Sequence, residues 1–483
     1  MKVDTIWFRL FRIRRRLMSS RTMMTFTIIS TVILFTLLLK SSNGGDDDTR
    51  PIVGEQNDER AASIAKAAEE EAERQQLEQI KQQQYFQLHP TVQETYEVYN
   101  ADKAQLEARF RENATLYMFA TDSDLELVLK TVGNFEKRFN YRYNYDWVLL
   151  TPPDQQVIGV SIDDVQGEKK KTLYSNEFKE KVANLCSGKV TYGTIPSQYW
   201  DSHDDIFEID EKKLLNSMNR LSNEQVSFPD SMFARMKFRF HAGFIQRMRI
   251  MNDYKYYWRV EPDAMLDCDQ ERDPFGVMQT RGKKYGFNMA LSEDKKTVRH
   301  LWRMSVKFFE KLNPDLKETE NSALDFVQYD RSSKKPIDAY FNLCRYWTES
   351  EIVDLSFLQS DSYTQFFNYL DQTGNFFYER WSDGIVRTVA VSFMLGADQI
   401  QYFDNTGYNL VNPYVNSWNV KNNPGYGGTQ SCPSDHQLRR WLHCQCNKRS
   451  DVTFRPWSCV PTFFRGLDLP FPEGHDDHDW TQW

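Results

Sequence analysis

The chain has 483 residues, 40% of them hydrophobic and 14% aromatic, with a formal net charge of -8 built from 60 Lys+Arg and 68 Asp+Glu. That apolar fraction excludes a disordered acidic chain, and the mixed charge, with no basic stripe, excludes a nucleic-acid binder. The 24 Tyr, 33 Phe and 12 Trp fit a large aromatic core first and sugar-stacking surfaces second.

The first segment to carry a function is N-terminal. Residues 22–39, TMMTFTIISTVILFTLLL, run eighteen positions without a charge, close to the shortest helix that crosses a bilayer. Lys2, Arg9, Arg12, Arg14, Arg15, Arg16 and Arg21 precede the run, whereas Asp46 to Asp48 follow it. The positive-inside rule then predicts a cytoplasmic tail over 1–21, an anchor over 22–39 and a lumenal remainder. A cleaved signal peptide is the alternative, but the run is long for one and no small-x-small site follows closely. So short a span suits the thinner membranes of the early secretory pathway.

Residues 40–105 read as a stem. Their AASIAKAAEEEAERQQLEQIKQQQ stretch has high helix propensity, but Ile64, Leu77 and Ile80 are too few to make a packed face. Such a stem spaces a folded domain from the membrane and offers a surface on which two copies could pair as a homodimer. The lumenal domain is expected over 106–483. Asn113-Ala114-Thr115 is a glycosylation sequon, and seven cysteines lie in this part, where disulfides persist. Their odd number leaves at least one outside an intramolecular pair. Zinc is the competing reading for Cys432, Cys444, Cys446 and Cys459 with His443, although C-x-C is not the usual knuckle spacing.

From 106 onward short apolar runs alternate with amphipathic segments, which predicts an open α/β sheet. LYMFA (116–120) reads as a strand, Asp122 to Phe139 as a helix and DWVLLT (146–151) as a second strand ending at Pro152-Pro153. This is the opening of a nucleotide-binding sheet, but no glycine-rich phosphate loop follows. Further on, Tyr256 to Val260 reads as a strand whose end carries Glu261-Pro262-Asp263. Two carboxylates leaving one strand form a hard-oxygen site, suited to manganese or magnesium bridging the diphosphate of a sugar nucleotide. A solvated acidic turn is the alternative. The tail, with His475, Asp476, Asp477, His478 and Asp479, reads as a solvated terminus rather than a cation site.

FNYRYNYDWVLL (139–150), RFHAGF (239–244), YWRVEPD (257–263), KKYGF (283–287), NLCRYWTESEI (342–352), FFYERWSD (376–383) and YFDNTGY (402–408) together resemble the fungal Golgi alpha-1,2-mannosyltransferase family. The resemblance runs from about 110 to 460. It implies a GT-A type, Rossmann-like fold, GDP-mannose as donor, Mn(II), a mannose-terminated glycan acceptor and retention of configuration in the Golgi lumen. It further implies Glu261 as the acidic metal ligand and Glu351 as the carboxylate that attacks or stabilises the anomeric carbon. Asp383 is expected at the acceptor, and Arg239 at the donor phosphates through its fork; Asp263 completes the donor site. Where the family has a metal-binding His, this chain has Arg387, which cannot ligate a metal. Arg387 is expected either to face the diphosphate or to pair with Glu261, weakening or removing the manganese requirement. Other departures are Gly384-Ile385 for Ala-Pro, Glu349-Ser350 for Asn-Phe, Ser382 for Gly, and Phe238 where many members have Cys. These leave α-1,3 or mannosylphosphate transfer, or a non-catalytic glycan- or nucleotide-binding scaffold, as alternatives.

Overall fold

The computed structural model describes residues 94–102, 111–153, 173–201, 209–312, 322–328, 340–410, 429–446, 451–455 and 457–472. The expected cytoplasmic tail, anchor and most of the stem lie outside the described residues. Among the described residues no helix is long and apolar enough to cross a membrane.

In chain order the elements that build the domain are β1 (Tyr96–Tyr99), β2 (Ala114–Phe119), α1 (Leu125–Arg138), β3 (Asp146–Thr151), α2 (Asn176–Leu185), β4 (Val190–Thr194), α3 (Glu211–Asn223), α4 (Met232–Gly243), β5 (Tyr256–Arg259) and β6 (Ala264–Leu266). They continue with β7 (Tyr285–Phe287), β8 (Ala290–Ser292), α5 (Leu301–Leu312), β9 (Cys344–Tyr346), β10 (Ile352–Asp354), α6 (Asp361–Asp371), α7 (Asp383–Met394), β11 (Ile400–Tyr402), β12 (Tyr408–Leu410), β13 (Thr429–Gln430), α8 (His436–Trp441) and α9 (Val460–Gly466). β1 falls inside the stretch that composition assigns to the stem. It pairs antiparallel with β4 as an edge strand, so the folded domain begins before residue 106.

The main sheet has the order β1-β4-β3-β2-β5-β10-β7-β11. β4, β3, β2 and β5 run parallel to one another, whereas β10 runs antiparallel to both β5 and β7. The interior strands of the sheet, from β4 to β7, are buried on both faces, and their side chains alternate between two apolar cores with the period of two that strands impose. Leu116 and Met118 of β2, Trp147 and Leu149 of β3, and Trp258 of β5 enter one core, where Val128, Val132 and Phe135 of α1 meet them. Tyr117, Phe119, Val148, Leu150 and Tyr257 enter the other, against Phe240 of α4, Phe366 of α6 and Val386 of α7. Serine caps start several helices: Ser175, Ser231, Ser360 and Ser382 each accept from a backbone N–H in the first turn of α2, α4, α6 and α7.

Three disulfides close the periphery: Cys268–Cys444, Cys344–Cys459 and Cys432–Cys446. The four cysteines of the zinc alternative are therefore spent on covalent pairs. Cys186 keeps its thiol, buried and donating to the Val182 carbonyl at 3.2 Å.

Candidate active site

The strand directions create the site. Because β10 runs against β5, the start of β10 meets the end of β5, and the backbone N–H of Arg259 donates to the Glu351 carbonyl at 2.9 Å. Glu261, two residues beyond β5, and Glu351, just before β10, thus emerge at one end of the sheet. The amino end of α7 delivers Asp383 to the same place. Carboxyl ends of strands in open α/β sheets are where ligands bind.

Glu261-Pro262-Asp263-Ala264 is a tight turn closed by the Ala264 N–H donating to the Glu261 carbonyl at 3.0 Å. Asp263 takes φ 78, a left-handed conformation that costs a non-glycine residue energy and that turns of this kind demand at the third position. Its carboxyl is buried, with Oδ2 lacking any hydrogen-bond partner. Burial pushes it up to about 6, against a downward pull from Lys130.

Glu261 is buried and accepts at 2.7 Å on both oxygens, from Lys237 Nζ on Oε2 and from Arg259 Nε on Oε1. Burial alone would raise its carboxyl; the Lys237 and Arg259 charges outweigh that and bring it to about 2. Arg259 then reaches across to Asp383 Oδ2 at 2.6 Å, which also accepts from Thr348 Oγ1 at 2.7 Å. Asp383 is held below the usual carboxylate range because, although burial opposes it, Arg259 and the Thr348 hydroxyl favour the anion.

Glu351 is sealed at 1% exposure. Tyr257 Oη donates to its Oε1 at 2.5 Å, and Arg387, itself 0% exposed, lies with Nε 3.2 Å from Oε2. Arg387 also donates to the Tyr363 hydroxyl and, at 2.9 Å, to the His241 carbonyl. The expected Arg387–Glu261 pair is corrected by this geometry. Arg387 pairs with Glu351, and Glu261 takes Lys237 and Arg259 instead. Below them His241 hydrogen-bonds through Nδ1 to the Lys237 carbonyl at 2.8 Å, so Nδ1 carries the proton and Nε2, 3.1 Å from Tyr117 Oη, accepts. Burial, followed by Arg259, drives this imidazole well below its ordinary range and keeps it neutral.

Arg239 does not join the cluster. Its fork grips Asp371, Nε to Oδ1 at 2.7 Å and Nη2 to Oδ2 at 2.8 Å, with both residues buried. The expectation of a phosphate contact gives way to a structural ion pair tying α4 to α6. Asn113 is exposed, immediately before β2, while the sequon's Thr115 is buried and donates to the Asp146 carbonyl at 2.9 Å.

Residues absent from the sequence-derived site include Lys237, Arg259, Tyr257 and Thr348. Glu349 also belongs here: its Oε2 is sealed without a hydrogen-bond partner, and burial raises its carboxyl against the pull of Arg345 and Arg259. A signal for Arg259 stood in the sequence, since a basic residue alternating with apolar neighbours on a buried strand must find acids.

Manganese, which the resemblance implies, would meet a Glu261 whose two oxygens already accept from Lys237 and Arg259, and Arg387 cannot coordinate, so a metal bound there would have to displace an ion pair.

The mixed sheet thus gathers buried acids, paired to fixed cations, at the strand ends where open α/β sheets bind their ligands. The glycolipid 2-alpha-mannosyltransferase family model matches residues 63–166 and 169–467. Glycolipid 2-alpha-mannosyltransferase 2 of Candida albicans is 34% identical over 360 residues, 74% of this chain and 68% of that protein. An O-glycoside alpha-1,2-mannosyltransferase of Schizosaccharomyces pombe is 33% identical, over 75% of this chain and 81% of its own. Among solved structures, core-mannan synthase A from Aspergillus fumigatus in its Mn/GDP form superposes with a TM-score of 0.60 at 25% identity, covering 75% of this chain and 87% of that one. The chain belongs to the glycolipid 2-alpha-mannosyltransferase family and is a mannosyltransferase.

Proposed function

We propose that this mannosyltransferase takes mannose from GDP-mannose and adds it, with α configuration retained, to mannose-terminated O- or N-linked glycans, forming α-1,2 linkages. The site is of GT-A type and faces the Golgi lumen, with the chain anchored as a single-pass type II protein through residues 22–39. The observation that carries the reading is the meeting of Glu351, Glu261 and Asp383 at one sheet end. The names of the relatives support the sugar and linkage, and the solved Mn/GDP form supports the donor.

In this reading Glu351 faces the anomeric carbon. Its charge is shared with Arg387 and the Tyr257 hydroxyl, which weakens it as a nucleophile but leaves an anion that stabilises positive charge building at that carbon. A front-face transfer follows. The C–O bond to the diphosphate breaks with its electrons leaving on the phosphate, the acceptor oxygen bonds to the same face, and the acceptor proton passes to the departing phosphate oxygen. Asp383 and Glu349 orient hydroxyls beside it, and Asp263 closes the donor side.

The fixed charges of Lys237 and Arg259 do part of the electrostatic work of a metal, so manganese is weakly bound or dispensable. The test is full-length protein in detergent with GDP-mannose and methyl α-mannoside, with and without chelator. An α-linked disaccharide in both arms supports the reading. Complete loss with chelator removes the metal-poor part, and GDP binding with neither disaccharide nor phosphomannose would establish the non-catalytic alternative.

A further inference from the structure

A recess lies among residues the transfer site does not use. It measures about 580 Å³ and is lined by Glu271, His436, Gln437, Arg440, Trp441 and His443, none of which belongs to the acidic cluster. Trp441 is 66% exposed, a large apolar face left in water. Around it stand a carboxylate, an amide, a guanidinium and two imidazoles, which mix donors and acceptors in flat groups.

That mixture discriminates between ligands. A neutral sugar ring offers an apolar C–H face and a rim of hydroxyls that both donate and accept, matching an aromatic platform ringed by planar polar groups. An anion would meet Glu271, and an apolar peptide face would strand the polar rim unpaired.

The recess is also fixed in shape. Asp269 N–H donates to the Leu442 carbonyl and Gln445 N–H to the Asp267 carbonyl, each at 2.8 Å. Arg138 holds Asp269 at 2.8 Å, and the Cys268–Cys444 and Cys432–Cys446 bridges close the segment on either side. A preorganised platform loses little freedom on binding. Tyr143 Oη donates to the Glu271 carbonyl at 3.1 Å, and Arg142, stacked on the exposed Tyr141 ring, donates to Gln270, so a second aromatic surface abuts the same segment. Only the chain from Asp263 to Glu271 separates the recess from the transfer site, which places the two within about 30 Å of each other.

We propose that this recess is a subsite for a neutral oligosaccharide, which holds the body of an extended mannose-chain acceptor while its end enters the transfer site. The inference rests on the acceptor class proposed above. The test uses full-length protein in detergent and follows binding of linear α-mannopentaose by calorimetry without donor, in wild type, Trp441→Ala and Trp441→Tyr. Trp441→Ala is expected to weaken pentaose binding about fivefold, the scale of one lost aromatic contact, with Trp441→Tyr close to wild type. In transfer assays KM for the pentaose should rise by the same factor at unchanged kcat, and kinetics on methyl α-mannoside should not move. Equal pentaose affinity in wild type and Trp441→Ala overturns the proposal, as does an equal loss on methyl α-mannoside. Because binding is read without turnover, failure of transfer would sink the enzymatic reading and leave this result standing.

Discussion

Removing the Arg387 guanidinium would leave Glu351 charged, sealed and without its counter-ion, and a broken buried pair of this kind costs about 3–5 kcal/mol. Arg387→Ala should therefore fall by about that much in denaturant unfolding, whereas the double replacement Arg387→Met with Glu351→Leu should recover most of the loss and still transfer nothing. Asp263 makes a different prediction. Its folded carboxyl lies near 6, above the ordinary value, so its contribution to stability is complete below about pH 4 and is lost as pH rises through 6. Asp263→Asn should therefore gain on wild type between pH 4 and 6 when chemical denaturation is compared across that range, and a variant that loses ground there would contradict the burial argument. These residues also show how far sequence reaches. Glu261, Glu351 and Asp383 were legible from the motif blocks, and the structure brings them to one sheet end. Which base each acid takes was not legible, because Lys237 comes from α4 and Arg259 from β5, a choice made by tertiary packing alone.

At the scale of elements, the strand predicted over 146–151 appears with those bounds, since a continuous apolar run stopped by two prolines leaves little ambiguity. The helix predicted over 122–139 divides into a short 3-10 turn at Asp122–Asp124 and α1, because Thr121 and Asp124 close a capping box ahead of the apolar stripe. β1 was missed. Its Tyr96–Tyr99 residues are half-exposed at a sheet edge and follow a polar, helix-prone stretch, so neither alternation nor composition marks them. The packing of α4 on α6 is tighter than any sequence pattern announces: a Cβ on Gly243 would stand 2.2 Å from the Phe367 ring. Gly243→Ala should cost about 1–3 kcal/mol by overpacking, read as a lowered denaturation midpoint at unchanged slope, and a neutral effect would show that the ring moves freely.

For the whole molecule, topology and chemistry are linked through Asn113. If the anchor holds the domain in the lumen, the exposed sequon at the entry to β2 is modified during synthesis, before Thr115 is buried in the sheet. The full chain expressed in yeast should then shift in mobility on endoglycosidase treatment, and Asn113→Gln should abolish the shift; an unmodified wild-type chain would contradict lumenal exposure of this site. The proposed transfer turns on the Glu351 carboxylate, held by Arg387 and Tyr257, meeting the sugar carbon of GDP-mannose when the donor binds. It is tested most directly by single-turnover transfer from GDP-mannose to methyl α-mannoside by wild type and Glu351→Gln, with the anomeric configuration of the product read by NMR. Wild type should give an α-linked product and Glu351→Gln a rate at least about a hundredfold lower, with GDP affinity unchanged. An undiminished rate in Glu351→Gln, or a β-linked product, would contradict it.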